Sequence, residues 1–122
     1  MKRYQIQPHR LSIDFELYTD GNSELKHELV TMIIQNLREL DQALESATQQ
    51  PDVLKRTIHK IIPTISIIKD TAFSQVLHIP GKLEVNHDTL AEELNRFRML
   101  CDEIIQSLEY ELTLTEVFAI AV

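Results

Sequence analysis

Turn-forming residues are scarce in this sequence, with two glycines and four prolines among 122 residues. A fold of many short strands needs such residues at nearly every reversal, so the scarcity argues against a sandwich or barrel. A single cysteine, Cys101, excludes an internal disulfide and fits a reducing compartment. No apolar run approaches the roughly 18 residues needed to span a bilayer. The opening MKRYQIQPHR carries charge but no apolar core, so it does not read as a signal peptide. The expectation is a cytoplasmic protein without a membrane partner, and the initial methionine fits a free-standing one. Net positive charge is missing too: the formal charge is −7 and the pI about 5.1. Nucleic acid is therefore not an expected partner, since its phosphates would be repelled. Nor is there a Gly-rich phosphate loop, so no nucleotide or other cofactor is expected.

Apolar residues at helical spacing are abundant. They form 43% of the chain, enough for one domain over residues 1–122 with a single core. The LSIDFEL stretch at Leu11–Leu17 alternates like a strand, but no second strand is available to pair with it. It reads as a short helix or an extended cover across the end of a bundle. Asn22 or Ser23 caps the next helix, whose stripe is Leu25, Leu29, Met32, Ile33, Leu37, Leu40 and Leu44, ending near Ala47. Pro51 opens a central helix that runs to Asp70. Phe73, Val76 and Leu77 form a brief third apolar face, interrupted at Pro80-Gly81. A fourth helix starts at Asn86 to Asp88 and carries Leu90, Leu94, Phe97, Leu100, Cys101, Ile104, Leu108 and Leu112. The apolar tail VFAIAV at Val117–Val122 reads as a last helical turn or a flap. The sum is an all-α, up-and-down four-helix bundle with short additional helices.

Few residues are placed for chemistry. The five histidines show neither i, i+4 pairing nor a CxxC partner, and the one Glu-x-x-His match, Glu24 to His27, falls at a helix start. No metal site is expected. Cys101 sits in an apolar stripe, where a thiol behaves as a small hydrophobe. The central helix is different. Ile58, Ile61, Ile65 and Ile68 mark its buried face, which turns His59, Ile62, Pro63 and Ser66 outward beside Lys55, Arg56 and Lys60. Pro63, four residues after His59, cannot donate to the His59 carbonyl, so a kink or irregular turn is expected there. A neutral imidazole nitrogen is a good nucleophile near neutral pH, and neighbouring cations can balance the charge of a transferred phosphoryl group. The competing reading is a surface histidine on an amphipathic helix with a solvated basic edge.

The run IHKIIPTISIIKD resembles the histidine motif of histidine-containing phosphotransfer (HPt) domains, in the variant with proline four residues after the histidine. The family pattern, Ala-His-x-apolar-Lys-Gly/Pro-Ser/Thr, is matched here by Ile58, His59, Lys60, Ile61, Ile62, Pro63 and Thr64. LYTDGNSELKHELVTMIIQNLREL is similar to the family's entry turn and second helix, and the resemblance covers about residues 12–110. It implies a four-helix bundle in which His59 accepts the phosphoryl group. Two departures from the pattern matter: the usual lysine three residues after the histidine is Ile62, and a frequent glycine ten residues after it is Lys69. Lys55, Arg56 or Lys60 are the candidates to replace the missing cation.

The resemblance implies a phosphorelay intermediate without a kinase site. His59 would take a phosphoryl group from a receiver-domain aspartate and pass it to a second receiver. Its partners would be response-regulator receiver domains and a hybrid histidine kinase, docking on Ile62, Pro63 and Ser66 with exposed positions of the Leu25–Leu44 helix. The alternative is a receiver-docking or helical interaction module with impaired or no transfer. A weaker option is a structural bundle that oligomerises through the apolar tail.

Overall fold

The computed structural model describes residues 13–85 and 88–121, with side chains described as far as residue 114. Residues 1–12, expected to form an irregular lead-in and the start of the LSIDFEL segment, lie outside the described residues. Seven α-helices and one 3₁₀ turn make up the described chain, with no strand among the described residues. The all-α expectation holds.

The alternating segment resolves into a short helix, α1 (Phe15–Thr19), capped by the Asp14 side chain accepting from the Leu17 amide. The turn that follows places Asp20 and Gly21 at positive φ, 50° and 75°, a conformation open to glycine and tolerated by aspartate. Asn22 then caps α2 (Ser23–Glu45), its side chain accepting from the Leu25 amide at 3.0 Å. After a turn, Pro51 opens α3 (Pro51–Lys60), where its missing N–H costs nothing.

The central helix is two helices. α3 stops at Lys60, Ile61 (φ −99°, ψ 10°) forms the joint, and α4 (Ile62–Ile68) resumes at once. The Ile61 amide is shared between the carbonyls of Thr57 (3.1 Å) and Ile58 (3.2 Å). That tightening, together with Pro63, is the irregularity expected beside His59. α4 ends at Lys69, which adopts left-handed geometry (φ 55°, ψ 31°).

Asp70 caps α5 (Thr71–Ser74), and a 3₁₀ turn over Gln75–His78 leads into α6 (Ile79–Glu84). Two sequence expectations change here. Pro80-Gly81 does not interrupt a helix; Pro80 lies in the first turn of α6, where a proline is tolerated. Leu77 is exposed and Ile79 is buried in its place, because the tighter 3₁₀ winding shifts the inward positions. The last helix, α7 (Leu90–Ala121), begins two residues after Asp88 and continues through the apolar tail, whose side chains lie outside the described residues.

α2 and α7 pack along most of their lengths, antiparallel. Lys26 meets Glu111 (2.9 Å) at one end, and Arg98 meets Asp41 (2.9 Å) and Glu45 (3.6 Å) at the other. Between them Val30, Ile33, Leu37, Leu40 and Leu44 close against Leu94, Phe97, Cys101, Ile104 and Leu108, all buried. Each such side chain contributes about 1.5–3 kcal/mol on burial, against at most about 1 kcal/mol for an exposed ion pair. The seam therefore supplies the stability, and the charges at its ends fix direction and register. α3, α4 and α6 cover this pair with Leu54, Ile58, Ile61, Ile65, Ile68 and Ile79.

Candidate functional site

The buried isoleucines of α3 and α4 leave one bare face, and His59 lies at its centre. His59, Pro63 and Ser66 are exposed, and Ile62 is 41% exposed despite being a large apolar residue. Lys55 and Arg56, one turn before His59, are exposed as well. The arrangement follows from helix geometry: with 3.6 residues per turn, positions 55, 59, 62, 63 and 66 fall opposite 58, 61, 65 and 68.

Two polar contacts fix this face against α2. The Asn36 amide Nδ2 donates to Thr64 Oγ1 at 2.7 Å, and Thr64 is 2% exposed. Lys60 Nζ lies 3.0 Å from Glu39 Oε2 and 3.4 Å from Oε1. As 60 pairs with 39 and 64 with 36, α4 runs antiparallel to α2 and its end comes level with Met32. Met32 (42% exposed) thus extends the apolar part of the face onto α2, while Leu25 (46% exposed) lies beyond the end of α4. Both belong to the stripe expected to be core. Val30 and Ile34 fill those inward positions instead.

Asn36 and Glu39 were not legible as site residues. Their one signal is a second row at helical spacing, Met32–Asn36–Glu39–Ala43, beside the main stripe; nothing in the sequence pairs them with Thr64 or Lys60. Of the three candidate cations, Lys60 is turned aside to Glu39. Lys55 and Arg56 have no ion-pair partner among the described residues. No described side chain hydrogen-bonds His59, so its imidazole is free to meet an incoming group.

The face is the exposed surface of two short helices, with a groove of about 280 Å³ at its edge, lined by Ser66, Lys69, Asp70 and Leu77 among others. Such a surface suits a protein partner better than a small molecule, which needs a concave site. Wider concavities of about 510 and 530 Å³ sit elsewhere, at the two ends of the α2–α7 pair. No group of three metal-ligating side chains occurs among the described residues. His27 and Glu24 are both exposed. Cys101 is fully buried, and that burial pushes its thiol from near 9 up to about 12, which keeps it protonated and unreactive. No helix is long and apolar enough to cross a membrane among the described residues.

No family model matches the chain, and no curated protein or solved structure does so either. The functional reading therefore rests on the motif residues and on the face that carries them.

Proposed function

We propose that this chain is a cytoplasmic phosphorelay intermediate of the histidine-containing phosphotransfer type, a four-helix bundle in which His59 is the phosphoryl acceptor. The observation that carries the reading is the placement of His59 at the centre of an exposed face, on a helix interrupted two residues later, with cations on the preceding turn. A nitrogen lone pair of neutral His59 attacks the phosphorus of a receiver's aspartyl phosphate. The N–P bond forms as the P–O bond breaks, the electron pair leaves on the aspartate carboxylate, and the imidazole proton passes to solvent. A second receiver reverses the step. Ile62, Pro63 and Ser66, with Met32 on α2, form the docking surface; a hybrid histidine kinase would feed the relay.

One observation favours a second reading, a docking module that transfers poorly: Ile62 presents an apolar surface where the resembled family carries a lysine. The two separate in one experiment. Purified protein and His59→Gln are incubated with phosphorylated receiver domains, and the label is followed. An acid-labile, base-stable label lost in His59→Gln is the expected result. Binding without label would favour the docking module, and neither binding nor label would end the phosphorelay reading.

A further inference from the structure

We infer that Lys55 and Arg56, and not Lys60, form the cationic clamp for the phosphoryl group on His59, so that the charge absent at Ile62 is supplied from the opposite side of the histidine. This rests on the phosphorelay reading above. Lys55 and Arg56 stand four and three residues before His59, the spacing that makes helix side chains neighbours. One helical turn rises about 5.4 Å, a span the long lysine and arginine side chains can cover, so both ammonium and guanidinium can reach a group carried on His59.

Lys60 is the nearest cation in sequence but is rotated about 100° around the helix from His59. Its ammonium is held across to both carboxylate oxygens of Glu39 on α2, at 3.0 and 3.4 Å. Lys55 and Arg56 remain without an ion-pair partner among the described residues. The site needs them. His59 lies in the last turn of α3, at the negative end of the helix dipole, where an added phosphoryl group is disfavoured unless cations stand beside it. Arg56 can grip two phosphoryl oxygens at once, and Lys55 acts as a point charge.

The test uses phosphoramidate, a small donor that removes receiver docking from the measurement. Its P–N bond breaks as the His59 N–P bond forms, and ammonia leaves with the imidazole proton. Phosphohistidine formation is followed by ³¹P NMR on the full chain. Lys55→Ala/Arg56→Ala should be slowed about tenfold, consistent with the loss of two exposed charge-assisted contacts. Its rate should also lose the ionic-strength dependence of the parent, which a purely structural defect would not remove. Arg56→Lys with Lys55 intact should recover most of the rate, and Lys60→Ala should stay within about twofold of the parent, since its charge is already partnered. A normal rate in the double variant, with label still lost in His59→Gln, overturns the clamp and leaves the phosphorelay reading standing. A slowed Lys60→Ala beside a normal double variant transfers the role to Lys60. No label on the parent protein overturns both.

Discussion

The α2–α7 pair and the α3–α4 pair use the same helical periodicity to different ends. α2 and α7 are long, uninterrupted and joined along a seam of buried, mostly aliphatic and aromatic residues, with the ion pairs Lys26–Glu111, Arg38–Glu109 and Arg98–Asp41 on its flanks. α3 and α4 are short, broken at Ile61, anchored by four isoleucines on one side and bare on the other. The first pair could lose its surface charges and remain folded. The second could lose its bare face and remain folded, and would lose the chemistry proposed for it. The longest buried seam and most of the face proposed for phosphotransfer thus lie on different helices, and a residue's place on the seam or on the bare face predicts what its substitution changes.

The sharpest way to break this comparison is a pair of substitutions. Leu37→Ala, on the fully buried seam, should cost 2–5 kcal/mol of unfolding free energy in urea titrations, about the range for deleting a core leucine. His59→Gln, on the bare face, should stay within about 0.5 kcal/mol of the parent. A large loss from His59→Gln would mean that the bare face also supports the fold.

A second effect separates the seam by pH. Burial raises the Cys101 thiol to about 12, above its unfolded value, so the unfolded chain releases a proton first as pH rises. The stability tied to Cys101 is complete below the unfolded value near 9 and declines from there up to about 12. The slope reaches about 1.4 kcal/mol per pH unit for one proton. Unfolding midpoints measured at pH 8, 9 and 10 should show this slope in the parent and its absence, against a lower baseline, in Cys101→Ala.

Smaller still is the contact that locks the two pairs together. A double-mutant cycle on Asn36→Ala and Thr64→Val should return a coupling of about 1 kcal/mol, the net worth of one partly buried hydrogen bond. Coupling near zero would show that packing alone seats α4 on α2. The smallest effect concerns Lys69, a non-glycine residue at φ 55°. Lys69→Gly should stabilise by about 0.5 kcal/mol: release of left-handed strain, worth about 1 kcal/mol, outweighs the entropy gained by the unfolded chain. Thermal melting would detect it as a small rise in Tm. The position that departs from the resembled family's glycine is therefore a helix-ending residue, a role independent of any close approach between helices.

What could be read in advance follows the range of the forces involved. The helices, their starts at Asn22 and Pro51, the inward set Ile58, Ile61, Ile65 and Ile68 and the outward His59 all depend on residues within one or two turns, and the 3.6-residue period exposes them directly. The irregularity at Pro63 was legible for the same reason, since a missing N–H is a local fact. Pro80-Gly81 was misread because a proline that ends one helix and a proline that opens another look alike until the flanking turns are known. Leu25 and Met32 were misassigned to the core because whether a helix edge is covered depends on where its neighbour stops, and α4 stops at Ile68.

By itself, the sequence determined an all-helical chain, the buried side of each main helix and the exposure of His59 beside a break, because periodicity and proline chemistry act locally. Only the tertiary structure decided which cations remain beside the histidine. The partners of Lys60 and Thr64 lie 21 and 28 residues away along the chain, and no local rule brings Glu39 and Asn36 to them. Hydrophobic packing of the four isoleucines against the α2–α7 pair sets that register, and the polar contacts form where the packing leaves them.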